Sequence, residues 1–160
     1  MHADIGPQHE ILARCLAGSW NALVTLWAAP GQPPIQHEGQ MHAEMTLGDR
    51  FLQQVYHSQG GFGDFHGRGL IGFNPGRGEF EYLWIDNTST ALQIESGRTE
   101  GDWRTLVLNG STLFAGMTAR IEHRSIFTIR SDDEHLYQRY VRQPGKNLHL
   151  QLEILYTRAP

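Results

Sequence analysis

Cysteine is nearly absent: Cys15 is the only one in 160 residues. A single thiol excludes an internal disulfide framework and fits a reducing compartment. Lysine is equally scarce. Lys146 stands alone among 13 basic residues, so arginine carries nearly all the positive charge. Arginine suits fixed ion pairs and planar anion recognition, and a GC-rich genome would give the same bias. Charge of one sign is nowhere concentrated. Against 17 acidic residues the net charge is −4, and no basic stripe offers itself to nucleic acid. No apolar run approaches the roughly 20 residues that a membrane-spanning helix needs. The opening MHADIGPQHE has neither the basic nor the apolar segment of a secretory leader. The expectation is a soluble, cytoplasmic chain with no nucleic-acid or membrane partner. A βαβ rhythm and internal repeats are missing as well, which argues against a parallel sheet and against a repeat array.

What is present is alternation. The stretch Phe65 to Asp86 holds two extended arms around Asn74-Pro75-Gly76-Arg77-Gly78, a cluster of turn formers. Phe65, Gly67, Gly69, Ile71 and Phe73 share one side of the first arm. Phe80, Tyr82, Trp84 and Asp86 share one side of the second. A period of two reads as a long antiparallel hairpin, one face of which carries aromatics and ends on a carboxylate.

The same period recurs along the chain. Trp20, Ala22, Val24 and Leu26 share a face, and Ile35 to Thr46 places Ile35, His37, Gly39, Met41, Ala43 and Met45 together. Arg50 to Ser58 is extended, but Phe51 and Val55 compete with Leu52 and Tyr56 for the inner face. Residues 60–64 form a turn-rich lead into the hairpin. Ala91 to Gly97 and Thr105 to Leu108 are short strands, and 109–117 gives no clear pattern. Thr118 to Ile129 aligns Ile121, His123, Ser125, Phe127 and Ile129. His135 to Arg142 follows, then Leu148 to Arg158 with Leu150, Leu152, Ile154 and Tyr156 inward. Only residues 9–17, HEILARCLA, have helical spacing, with Ile11, Leu12, Cys15 and Leu16 on one stripe.

About ten short strands at 8- to 12-residue spacing predict an all-β fold, a sandwich or a closed barrel. We read residues 1–160 as a single closed antiparallel β-barrel whose short N-terminal helix plugs or flanks one end. Closure removes the edges along which strands aggregate. A chain of this length hides roughly 70% of its unfolded surface, enough for a full core.

Several short stretches, in order, resemble the bacterial DUF1579 family: His9-Glu10-x-Leu12, Leu16-Ala17-Gly18-Ser19-Trp20, Pro30-Gly31, Gly48-Asp49-Arg50-Phe51-Leu52, Phe65-x-Gly67-x-Gly69-x-x-Gly72-Phe73, Trp84-Ile85-Asp86 and Tyr156-x-Arg158. The resemblance covers nearly the whole chain, with Asp49 standing where a second glycine is expected. The family is similar to lipocalin-like (calycin) barrels, and Gly18-Ser19-Trp20 resembles the glycine-x-tryptophan signature of their first strand. The resemblance implies a barrel with a cavity. It carries no catalytic residues across, because the family has no agreed activity.

Candidate chemistry follows from the inward faces, and each candidate also has a structural reading. Asp86, beside Phe80, Tyr82 and Trp84, is either a desolvated proton acceptor or ligand anchor, or the cap of the connection 87–90. His37, His57 and His123 lie on three strands. They could converge on zinc, or one could bind haem iron as in the nitrobindin-type barrels this fold resembles; unrelated core histidines are the alternative. His42 with Glu44, and His149 with Gln151 and Glu153, read as solvated outer faces. Arg120, Glu122, Arg124, Arg139 and Arg142 either form an anion clamp or make cross-strand ion pairs outside. Cys15 reads as a buried core residue, no serine has a nucleophile-elbow context, and Gly67-x-Gly69-x-x-Gly72 runs through a strand and lacks the helix that binds phosphate.

The expected function is binding of a small hydrophobic or amphipathic molecule inside the barrel. Trp20, Met41, Tyr82, Trp84 and Tyr156 supply apolar walls, and His37, Asp86 and His123 polar anchors. No metal or cofactor enters this reading, and a homodimer is possible. The alternatives are an isomerase, cyclase or hydrolase using Asp86 or His123 as acid/base, a haem or metal barrel, and a barrel filled by its own side chains.

Overall fold

The computed structural model describes residues 4–60 and 63–160. The expected turn over 60–64 includes Gly61 and Phe62, which lie outside the described residues. Among the described residues ten strands form: β1 (Gly18–Leu26), β2 (Ile35–Thr46), β3 (Phe51–Gln59), β4 (Asp64–Asn74), β5 (Glu79–Asp86), β6 (Gln93–Thr99), β7 (Thr105–Thr112), β8 (Ile121–Ser131), β9 (Glu134–Arg142) and β10 (His149–Arg158). Each strand pairs antiparallel with its sequence neighbour, and β1 closes on β10. The result is the closed antiparallel barrel that the alternation predicts. No described helix is long and apolar enough to cross a membrane.

The β4–β5 hairpin forms around the expected turn, with Phe73 opposite Phe80, Ile71 opposite Tyr82 and Gly67 opposite Asp86. Asn74 builds its turn. The Asn74 Oδ1 accepts from Gly76 N at 3.0 Å, and its backbone carbonyl accepts from Gly78 N at 2.8 Å. Gly78 sits at φ +67°, where a Cβ would be strained. Gly67 serves the packing instead, because the indole of Trp84 lies where its Cβ would be. The missing side chain leaves room for the large ring, which reaches diagonally across from Trp84 on the neighbouring strand.

The helix differs from expectation at both ends. An α turn, α1 (Pro7–Ile11), starts two residues early, with Pro7 at the first helical position, where its missing N–H costs nothing. Residues 12–16 then widen into a π turn, closed by Ala17 N to Leu12 O at 2.9 Å. Leu12, Cys15 and Leu16 are buried in the barrel floor. Trp20 donates its indole N–H to Leu16 O at 3.0 Å, and the Arg158 guanidinium lies 4.2 Å from the Trp20 ring centroid. Arg158 also donates to Ala17 O at 3.0 Å and pairs with Asp133 at 3.0 Å. One arginine from the last strand thus fastens the helix, the first strand and the β8–β9 turn together.

Strand limits shift where polar residues pair in the ladder. β7 continues through Asn109 and Gly110 to Thr112, because these residues pair with β8 as far as Thr112 opposite Ile121. β8 accordingly begins at Ile121 rather than Thr118. On β3 the inner face is Leu52, Gln54, Tyr56 and Ser58, fixed by Met41 opposite Tyr56 and Ala43 opposite Gln54 on β2. His57 therefore points outward.

Candidate functional site

The floor half of the barrel is filled by Trp20, Leu52, Ile71 and Leu108, all almost fully buried. The other half is hollow. A cavity of about 530 Å³ runs from mid-barrel to the end opposite α1, where Asp64, Asp86, Met117 and Gln143 form its rim. Its volume falls within the roughly 300–1,000 Å³ of small-molecule sites. Val24, Met41, Tyr82, Trp84, Phe127, Leu152, Ile154 and Tyr156 supply apolar wall. The aromatic rings meet edge-on or tilted, Tyr82 against Phe127 at 5.8 Å and Tyr82 against Trp84 at 6.4 Å. Burial pushes the Tyr82 and Tyr156 phenols well above their ordinary range. They stay neutral, as wall and not as bases.

Polar groups concentrate on the β6–β9 side. Ser125 Oγ donates to Glu95 Oε1 at 2.6 Å, and His123 Nδ1 meets Glu95 Oε2 at 2.9 Å. Because the one Ser125 proton goes to Glu95, the Tyr137 hydroxyl, 2.8 Å away, donates to Ser125. Thr112 Oγ1 lies 2.8 Å from His123 Nε2. Glu95 and His123 side chains are 1% and 0% exposed, so this hydroxyl–imidazole–carboxylate line is sealed behind the wall. Arg139 extends the polar seam into the cavity, donating to Gln93 Oε1 at 2.6 Å. Burial and Glu95 raise the Tyr137 phenol, while Arg139 opposes the shift. Across the lumen, His37 Nδ1 and Gln54 Oε1 are buried without a hydrogen-bond partner among the described residues.

The expected site residues separate into two groups. His37, Met41, Tyr82, Trp84, Asp86 and Tyr156 line the cavity together. Trp20 and His123 do not; Trp20 packs in the floor, and His123 is enclosed by Glu95 and Thr112. Asp86 is at the rim with its oxygens engaged. The Trp84 indole donates to Oδ2 at 2.9 Å, and Thr88 N and its hydroxyl donate to Oδ1. That is the capping arrangement of an Asx turn.

The three histidines do not converge. His57 stacks on His66 outside the barrel at 4.4 Å, and Asp64 bridges both rings at 2.8 and 3.0 Å. Those two bonds hold the Asp64 carboxyl below its ordinary range. This exposed set groups three ligand-type side chains whose ligand atoms lie within 4.8 Å of one another. His42 bonds Ser19 at 3.0 Å on the outer face, and Glu153 accepts from Gln138 at 2.8 Å. A bulge between Leu150 and Leu152 brings Gln151 to the cavity rim. Nor do the arginines cluster. Arg142 pairs with Glu122, Arg124 with Asn109 at 2.8 Å and Arg120 with Ser111 at 2.7 Å, all exposed, while Arg139 alone of the group turns inward. Cys15 is buried in the floor.

Gln54, Gln93, Phe127, Tyr137 and Arg139 line the cavity beyond the residues expected as ligand contacts. Alternation from His135 through Val141 is the signal that points to Tyr137 and Arg139. For Gln93 and Glu95 it misleads, because their neighbours Leu92 and Ile94 are apolar yet 60% and 57% exposed.

Among solved structures, the crystal structure of Rv2717c from M. tuberculosis is similar, with a TM-score of 0.71 at 19% identity, over 98% of this chain and 100% of that one. A redesigned beta barrel matches at a TM-score of 0.47 and 11% identity, over 93% and 98% of the two chains. No curated protein matches. The pattern of DUF1579, described as a protein of unknown function, matches residues 4–158. The chain therefore belongs to the DUF1579 family.

Proposed function

We propose that the protein binds a small apolar or amphipathic molecule in the open half of its barrel. The observation that carries this reading is an apolar-walled cavity of about 530 Å³ whose lining includes only a few polar side chains, Arg139, Gln93, Gln54 and His37 among them. That balance of apolar wall and sparse polar groups is the one small-molecule sites show. The energy of capture comes from the walls. A ligand that buries roughly 300 Å² of apolar surface gains about 7 kcal/mol before the cost of association. Met41, Tyr82, Trp84 and Tyr156 would touch the guest directly, with His37 at its polar edge and Asp86 shaping the rim as the cap of its turn. Trp20 and His123 would act behind the wall, holding its shape.

Titration with the neutral fluorophore N-phenyl-1-naphthylamine tests this. The expected result is saturable uptake of one molecule per chain, with quenching of Trp84 emission. Filling the hollow by Val24→Trp should remove uptake while the far-ultraviolet dichroism stays that of a barrel. Linear, non-saturating fluorescence from the unmodified protein would contradict the reading.

A further inference from the structure

We infer that the guest is an amphiphile with a carboxylate head, and that Arg139, held by Gln93, is its anchor; the inference rests on the binding role proposed above. Arg139 is the only arginine or lysine among the described residues lining the cavity. It makes no ion pair there. Its side-chain hydrogen bond goes to a neutral group, the Gln93 amide oxygen at 2.6 Å. The carboxylate behind it, Glu95, has one oxygen taken by Ser125 and the other by His123, at 2.6 and 2.9 Å. The rim carboxylates are committed too, Asp64 to His57 and His66, and Asp86 to Trp84 and Thr88.

Arg139 is half-buried, and the desolvation that a guanidinium suffers is offset where an anion meets it. Gln93 uses only part of the donor fork, and the planar remainder matches a carboxylate held by two parallel bonds. The Gln93 contact also fixes the direction of the side chain, so less freedom is lost when the anion arrives. With the head at Arg139, the tail lies along Val24, Met41, Phe127 and Ile154, a wall without charge.

The test compares decanoic acid with 1-decanol, which share a chain and differ in the head. Each displaces N-phenyl-1-naphthylamine from the full-length protein at pH 8. Decanoate should bind roughly tenfold or more tightly than decanol, as a charge-assisted pair warrants. Arg139→Met should cost decanoate that tenfold and change decanol less than about threefold, with fluorophore uptake reporting that the barrel is folded. The comparison on unmodified protein needs no variant, so a misfolded R139M leaves it intact. Equal binding of the two amphiphiles, or equal losses in R139M, overturns the carboxylate anchor and leaves the binding role standing. Failure of the fluorophore and both amphiphiles to bind overturns the binding role, and the anchor with it.

Discussion

His135 is a buried ring that resists its proton. It lies between Trp20, edge-on at 4.5 Å, and Tyr156, stacked at 4.7 Å, with Nδ1 unpartnered among the described residues. Burial, with the Arg158 charge second, lowers its pKa to about 3. In the unfolded chain the ring titrates near 6.5. Above that value both states are neutral and the site costs nothing. As pH falls below it, the unfolded state takes up a proton that the folded state refuses until about 3, so stability drops across this window. Between about pH 7 and pH 4 the loss is roughly 3 kcal/mol from this group. His135→Phe should flatten the pH dependence of denaturant unfolding by about that amount; an unchanged slope in the variant would show that the ring titrates freely.

Asp86 gives the complementary case. Asp86→Asn keeps one acceptor oxygen for a site that now satisfies donors on both. It should lower stability by about 0.5–2 kcal/mol and leave fluorophore affinity within about threefold. Loss of binding would move Asp86 from the turn into the site. Single residues are also where the sequence is least legible. Asp86 is legible as the cap of the connection 87–90, which is one of its two sequence readings, but the partner of His123, Glu95, comes from a distant strand that no spacing reveals. Arg139 groups by residue type with four neighbours that all turn outward, and only its parity with His135, Tyr137 and Val141 sets it apart.

At the scale of the element, the floor depends on Arg158. It joins Ala17, Asp133 and the Trp20 ring from a single side chain. Arg158→Met keeps much of the packing and removes the bonds, so the expected cost is about 1–3 kcal/mol. Amide exchange should quicken first in residues 7–17. Uniform loss across the barrel would mean the helix is held by its apolar stripe alone.

The hairpin is legible in full because every inward position on β5 is aromatic until the closing Asp86, which leaves one admissible register. β3 is not, since Gln54 and Ser58 face in while Phe51 is 37% exposed. The π turn is not legible either. Its apolar spacing suits an α-helix equally well, and the wider turn appears only when Ala17 meets Leu12 O.

For the whole molecule, closure and the hollow are separate achievements. Closure follows from ten strands with consistent alternation, and it can be read from the chain. The hollow arises because residues filling the floor (Trp20, Leu52, Ile71 and Leu108) cluster near one end, while at the other the inward positions leave space. Which end a residue occupies depends on the stagger between strands, which pairing sets and sequence does not display.

Methionine methyl resonances report on both halves at once. Met41 and Met117 line the cavity, whereas Met45 packs against the floor core. Adding decanoate to methyl-labelled protein and recording carbon–proton spectra should move Met41 and Met117 in a saturable way and leave Met45 in place. Resonances that stay still for Met41, or that shift equally at Met45, would contradict a guest in the open half of the barrel.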